Sequence, residues 1–124
     1  MPDASTTRLQ AIEELCALGQ PYELKFTQIM GKNQRIFVNA PNTLRDLYLE
    51  TRSDLDYLVF EGERFTFDHV YHLASAFATA MVEHYGIKPG DRVAISMRNY
   101  PEWVIAFFAT TSIGAIAVSL NAQW

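Results

Sequence analysis

An α/β fold is predicted, with a parallel βαβ unit, helices on both faces and an N-terminal hairpin arm, and three observations carry it. Two short apolar runs rich in β-formers, at 92–97 and 115–120, flank a stretch that reads as helix from Pro101 to Gly114. Strands joined through a helix pair in parallel by a crossover, because a hairpin needs only a tight turn. Upstream, helix-period and strand-period runs alternate, separated by turn signals. The 124 residues are 49% hydrophobic and 13% aromatic, which is enough apolar surface for one modest domain.

Thr6 or Thr7 is placed to cap a first helix running to about Leu18. Leu9, Ile12, Leu15, Cys16 and Leu18 form its apolar side, and Gly19 closes it. From 22 to 38 the pattern alternates through Tyr22, Leu24, Phe26, Ile36 and Val38 around the turn signal Gly31-Lys32-Asn33-Gln34. That predicts a hairpin arm. The loop Asn39-Ala40-Pro41-Asn42 then divides the chain into 1–42, a helix and hairpin arm, and 43–124, an incomplete α/β subdomain.

Thr43 caps a short helix over 44–51 that buries Leu44, Leu47 and Tyr48. Strands 57–61 and 64–67 pair across Gly62-Glu63, and Thr66 caps a helix over 68–85. On that helix Val70, Leu73, Ala74, Phe77, Met81 and Tyr85 make the apolar stripe; His69, His72, Ala76, Thr79 and Glu83 lie opposite. Lys88-Pro89-Gly90-Asp91 turns into the strand 92–97. Pro101 suits a first helical turn, Asn99 or Tyr100 the cap, and Glu102 the positive end of the helix dipole. This helix runs to Ile113, Gly114 ends it, and the strand 115–120 follows.

The helix over 101–113 is apolar all round, with Trp103, Ala106, Phe107 and Thr110 on one side and Val104, Ile105, Phe108 and Ala109 over the rest. A helix without a polar face needs cover on both sides, and little of this chain remains to cover the second. Exposure of Ile105, Phe108 and Ala109 is therefore expected, and with it a homo-oligomer or aggregation through that face.

A formal charge of −4, a pI near 5.2 and the lack of a basic cluster argue against nucleic acid as a partner. The single cysteine, Cys16, excludes an internal disulfide and reads as a small buried hydrophobe. The polar stretch 1–7 has no basic segment leading into an apolar one, so no secretory signal is indicated and a cytoplasmic location is expected. The uncharged run bracketed by Trp103 and Trp124 has the length of a membrane span. Thr110-Thr111-Ser112 and Gly114 interrupt it, leaving membrane anchoring as an alternative and peripheral membrane contact as a partner class.

Glycines at 19, 31, 62, 86, 90 and 114 allow neither G-x-x-x-x-G-K nor G-x-G-x-x-G, and no serine lies in G-x-S-x-G. His69 and His72 stand one turn apart without a third ligand, Asp68 pointing elsewhere, so they read as a solvated face. His84 reads as a favourable charge near a helix C-terminus. Trp103, Phe107 and Phe108 suit an apolar acyl or aryl pocket, although core packing is the simpler account. Asn121 lies just past the last strand, where open α/β sheets place ligand groups. Trp103 and Asn121 are the candidate substrate-pocket residues. No catalytic, cofactor-binding or metal residue is nominated.

The run G-D-R-V-A-I-S-M-R-N-Y-P-E-W-V-I-A-F-F-A, followed by G-A-I-A-V-S-L-N, resembles the N-terminal part of the AMP-forming acyl-CoA synthetases of the adenylate-forming enzyme superfamily. The upstream R-F-T-F-D-H-V and G-I-K-P-G-D-R-V are similar to that family's T-[FY]-x-E-[LV] … G-[VI]-x-x-G-D-R-V segment. The likeness covers roughly 43–124, and the arm ending in Phe37-Val38-Asn39-Ala40-Pro41 is similar to that of fatty-acyl-CoA ligases. The resemblance implies the large-domain fold of that superfamily. It also implies ATP, Mg²⁺ and CoA as cofactors of a longer enzyme that adenylates a fatty acid and transfers it to CoA. The family's phosphate loop ending in P-K, its Y-G-x-T-E and T-G-D elements and its C-terminal lysine are all absent from this sequence. The expectation is an N-terminal fragment, inactive by itself. The alternatives are a non-catalytic α/β interaction module and a membrane-anchored protein.

Overall fold

The computed structural model describes residues 6–122. Residues 1–5, in the polar stretch read for a signal, and Gln123 and Trp124, which end the uncharged run and the 43–124 segment, lie outside the described residues. The chain divides into two compact units, Met1–Pro41 and Asn42–Trp124.

In the first unit, helix α1 (Arg8–Leu15) opens with a reciprocal capping box, the Thr7 hydroxyl accepting from Gln10 N–H and the Gln10 carboxamide oxygen accepting from Thr7 N–H. It stops three residues short of Leu18. The chain folds back at once, and Tyr22 N–H takes the Leu15 carbonyl that a longer helix would have used. Cys16 is consequently the half-buried C-cap rather than a core residue, and Leu9, Ile12 and Leu18 are exposed. Strands β1 (Leu24–Ile29) and β2 (Lys32–Phe37) form the antiparallel arm with Ile29 opposite Lys32. The turn is Met30-Gly31, one residue earlier than the Gly31–Gln34 signal suggests, and both residues carry positive φ (49° and 75°). Two-residue turns of that hand match the strand twist, so Lys32, Asn33 and Gln34 are released into the strand.

The second unit holds helix α2 (Leu44–Glu50), hairpin β3 (Asp56–Phe60) and β4 (Glu63–Thr66), helix α3 (Phe67–Glu83), strand β5 (Arg92–Ile95), helix α4 (Pro101–Ser112) and strand β6 (Ile116–Ser119). The β3–β4 turn is Glu61-Gly62, again one residue before the expected Gly62-Glu63, and the register shifts between Asp56 and Leu58. Strands β5 and β6 pair in parallel from Arg92 opposite Ile116 to Ile95 opposite Ser119, joined through α4 as the βαβ pattern requires. Tyr100 is the N-cap of α4 without a side-chain bond, and Pro101 occupies the first turn.

Helix α4 touches β5 and β6 as well as α2 and α3. The face expected to be bare is therefore covered: Ala109 is 0% exposed, and Ile105 and Phe108 are half-buried against the Ala74–Ala78–Met81 cluster. Association through that face loses its surface. The correction has a steric cause, since Ala74, Ala78 and Ala109 let α3 lie directly on α4, and small contact residues shorten the distance between helix axes. For the same reason α3 buries Val70, Ala74, Ala78 and Met81, while Leu73, Phe77 and Tyr85 of the expected stripe flank the contact and stay exposed. On α2 only Tyr48 is buried; Leu44 and Leu47 are exposed.

The uncharged run bracketed by Trp103 and Trp124 is not one helix: α4 ends at Ser112 and the chain resumes as β6. Among the described residues no helix is long and apolar enough to cross a membrane.

Candidate functional site

A cleft of about 640 Å³ opens at the carboxyl ends of β5 and β6, where parallel strands deliver loops to a ligand. Met97, Arg98 and Asn99, in the loop from β5 to α4, form one side. Ser119 and Asn121, at and beyond the end of β6, form the other, and Trp103 reaches in from the first turn of α4. Backbone bonds hold these loops: Leu120 N–H donates to the Ile95 carbonyl at 2.9 Å and Tyr100 N–H to the Arg98 carbonyl at 2.8 Å.

Trp103 and Asn121 thus line one cavity, Trp103 half-buried and Asn121 exposed. Trp103 lies nearly parallel to Phe107, with ring centres 5.4 Å apart and planes 8° from parallel. It also lines a second, apolar slot of about 210 Å³, with Leu58, Val59, Phe60 and Val104. The indole accordingly belongs both to a polar cleft and to a mainly apolar slot, and Asn99 is shared by the two. Such a pair suits a molecule with one charged or hydrogen-bonding end and one apolar end.

The sequence reading passed over Arg98, Asn99 and Ser119. The rule that flagged Asn121 applies equally to the carboxyl end of β5, and read at both strands it would have found Arg98 and Asn99. Among the described residues Arg98 takes part in no ion pair. Phe107 and Phe108 line neither cavity; Phe108 stacks on Tyr48 with ring centres 3.7 Å apart and contacts Tyr57 at 5.9 Å.

The groups with displaced pKa values stand outside the cleft. Burial, with a smaller contribution from Tyr48, raises the Tyr57 hydroxyl above its usual range. Asp68 is held below the usual carboxylate range chiefly by the hydrogen bond from Arg52, whose Nε lies 2.7 Å from Oδ1. The His72 ring faces the other carboxylate oxygen at 3.3 Å, so Asp68 points toward His72, contrary to the sequence expectation that it points elsewhere. An i, i+4 pair on one helix face brings the two side chains together. His69 stacks on Phe65 instead. Among the described residues no three His, Cys, Asp or Glu side chains converge as a metal site.

The profile of the family described as AMP-binding enzyme matches residues 48–124. A 2-succinylbenzoate–CoA ligase of Bacillus velezensis is 39% identical over 66 residues, 53% of this chain and 14% of its own length. Long-chain fatty acid transport protein 6 of Mus musculus is 30% identical over 67 residues, 54% of this chain and 11% of its own. The chain therefore spans about a seventh or less of these relatives. Among solved structures, the N-terminal subdomain of Klebsiella oxytoca NpsA superposes with a TM-score of 0.61 at 28% identity. The match covers 66% of this chain and 22% of that one.

Proposed function

Because the chain belongs to the AMP-binding enzymes, we propose that it is the N-terminal part of an AMP-forming acyl-CoA ligase acting on a fatty acid in the cytoplasm. In that reaction the substrate carboxylate attacks the α-phosphorus of ATP and pyrophosphate leaves. The CoA thiolate then attacks the acyl carbon and expels AMP. ATP, Mg²⁺ and CoA are the cofactors of this reading, and no residue of this chain is assigned to them.

The observation that carries it is the pairing of the two cavities across Trp103, together with the match over 48–124. The polar cleft, with Arg98, Asn99 and Asn121, favours the end of the substrate that carries charge or hydrogen-bonding groups. The slot lined by Leu58, Val59, Phe60 and Val104 favours a hydrocarbon. The long-chain fatty acid transport protein among the relatives supports a fatty acid, while the succinylbenzoate–CoA ligase and acetyl-coenzyme A synthetases at up to 36% identity support only a carboxylic acid. The 124-residue chain supplies scaffold and cleft wall.

ATP–pyrophosphate exchange tests this. It is measured on the 124-residue chain and on the polypeptide of the complete reading frame, with acetate, 2-succinylbenzoate and a series of fatty acids. Fatty-acid-dependent exchange by the complete polypeptide and none by the 124-residue chain is the expected result. Exchange with acetate or succinylbenzoate alone would remove the fatty-acid assignment, and exchange by the short chain would refute its role as scaffold.

A further inference from the structure

A third cavity, of about 460 Å³, adjoins the apolar slot beside Trp103, and the two share Phe60, Tyr100 and Pro101 as lining. Phe60 and Tyr100 stand edge to face in that common wall, with ring centres 5.4 Å apart and planes at 88°. A perpendicular pair at this spacing is an attractive aromatic geometry, so each ring holds the other in place. The slot, at about 210 Å³, is smaller than a usual small-molecule site, and the cavity that shares its wall is about twice as large.

Capping does not account for the tyrosine. Tyr100 is the N-cap of α4, where a short side-chain oxygen normally accepts a helix N–H, and its side chain makes no such bond. The main chain alone fixes it: its N–H donates to the Arg98 carbonyl at 2.8 Å, and its carbonyl accepts from Trp103 N–H at 3.0 Å. Phe60 ends β3, opposite Glu63 and next to the Glu61-Gly62 turn. A helix start and a hairpin end thus supply one ring each to the same wall. The linings on its two sides differ. Leu58, Val59 and Val104 belong to the slot, whereas Glu63, Met97 and Glu102 belong to the larger cavity. A hydrocarbon favours the first lining and gains less beside the carboxylates of the second.

We propose that the Phe60–Tyr100 pair is the chain-length stop of the slot, with Tyr100 the residue that sets the length of hydrocarbon admitted. This rests on the reading of the slot as the place of the substrate's hydrocarbon. Each methylene that enters the slot gains apolar burial, and the first one that reaches the rings gains none. Removing either ring opens the wall into the larger cavity, so losing one is equivalent to losing both. Tyr100→Phe retains the ring and therefore the stop.

The test is an NMR titration of the 124-residue chain with the straight-chain series from butanoate to dodecanoate and from butanol to decanol, read at the Val59 and Val104 amides. In wild type, affinity should rise about fourfold per methylene and then level off at one chain length in both series. Tyr100→Ala and Phe60→Ala should each carry the rise at least two methylenes further, a gain of about tenfold for the longer ligands. The double variant should gain no more than either single one, and Tyr100→Phe should level off with wild type. Unchanged amide shifts away from the start of α4 and the β3–β4 turn verify the fold of each variant. No levelling in wild type, levelling at the wild-type length in the folded alanine variants, a stop lost in Tyr100→Phe, or no saturable binding in either series would overturn the proposal. The alkanols carry no carboxylate, so they report the stop separately from the fatty-acid reading, which fails instead through absence of fatty-acid-dependent exchange by the complete polypeptide.

Discussion

At the residue scale, Tyr48 is the anchor of α2. Its ring stacks on Phe108 and its hydroxyl lies 3.1 Å from Thr111 Oγ1. Thr111 gives its proton to the Phe107 carbonyl at 2.8 Å, so Tyr48 is the donor of the pair. Tyr48→Phe keeps the stack and loses one bond, an expected cost of about 1 kcal/mol; Tyr48→Ala loses both and should cost about 3–5 kcal/mol. Urea unfolding of the two variants separates them, and equal losses would show that the hydroxyl rather than the stack holds α2. Asp68 makes a pH-dependent contribution. Its carboxylate is favoured in the folded state by Arg52, so the stabilisation is present above the unfolded value near 3.9 and is lost as pH falls through the lower, folded value. Wild type should exceed Asp68→Asn in melting temperature at neutral pH, and the difference should close in acid, once the pH has fallen through the lowered folded value. A difference that persists in acid would assign it to packing instead.

At the element scale, the crossover from β5 to β6 depends on the way α4 ends. Gly114 has φ +76°, a left-handed conformation, and a Cβ placed there would meet Pro89 Cβ at 3.3 Å. Its carbonyl accepts from Gly90 N–H at 2.9 Å, which ties the end of α4 to the turn that opens β5. Gly114→Ala therefore meets both backbone strain, about 1–2 kcal/mol, and a contact with a rigid ring. Gly86→Ala, at φ +65° with no atom within 4 Å, meets strain alone and should cost less. Thermal unfolding of both variants compares the two terms; equal losses would mean that the Pro89 ring moves aside freely. The hairpins show the limit of local reading at this scale. Both turns sit one residue before the expected place because Met30 and Glu61 accept positive φ beside a glycine, which composition alone disfavours.

For the whole molecule, burial is uneven. No described residue of the Met1–Pro41 unit is buried, whereas α3 and α4 enclose Ala74, Ala78, Met81 and Ala109. Amides of β1 and β2 should therefore exchange with deuterium far faster than those of α3 and α4, and equal protection would require cover for the hairpin that its own unit does not supply. The sequence by itself determined what local chemistry controls: the order of elements, the caps at Thr43 and Thr66 and, to within one residue, at Thr7, Pro101 at the start of α4, and the parallel βαβ unit. Each rests on a few neighbouring residues and the hydrogen bonds they can make. Only the tertiary structure decided which faces are covered. The alanines of α3 turn its larger apolar residues aside and close over α4, a contact between segments some thirty residues apart that no helical period records. The candidate site divides in the same way. Asn121 was legible from its place after a strand, but its meeting with Arg98 and Trp103 in one cleft follows from the parallel register, which sets the carboxyl ends of β5 and β6 side by side.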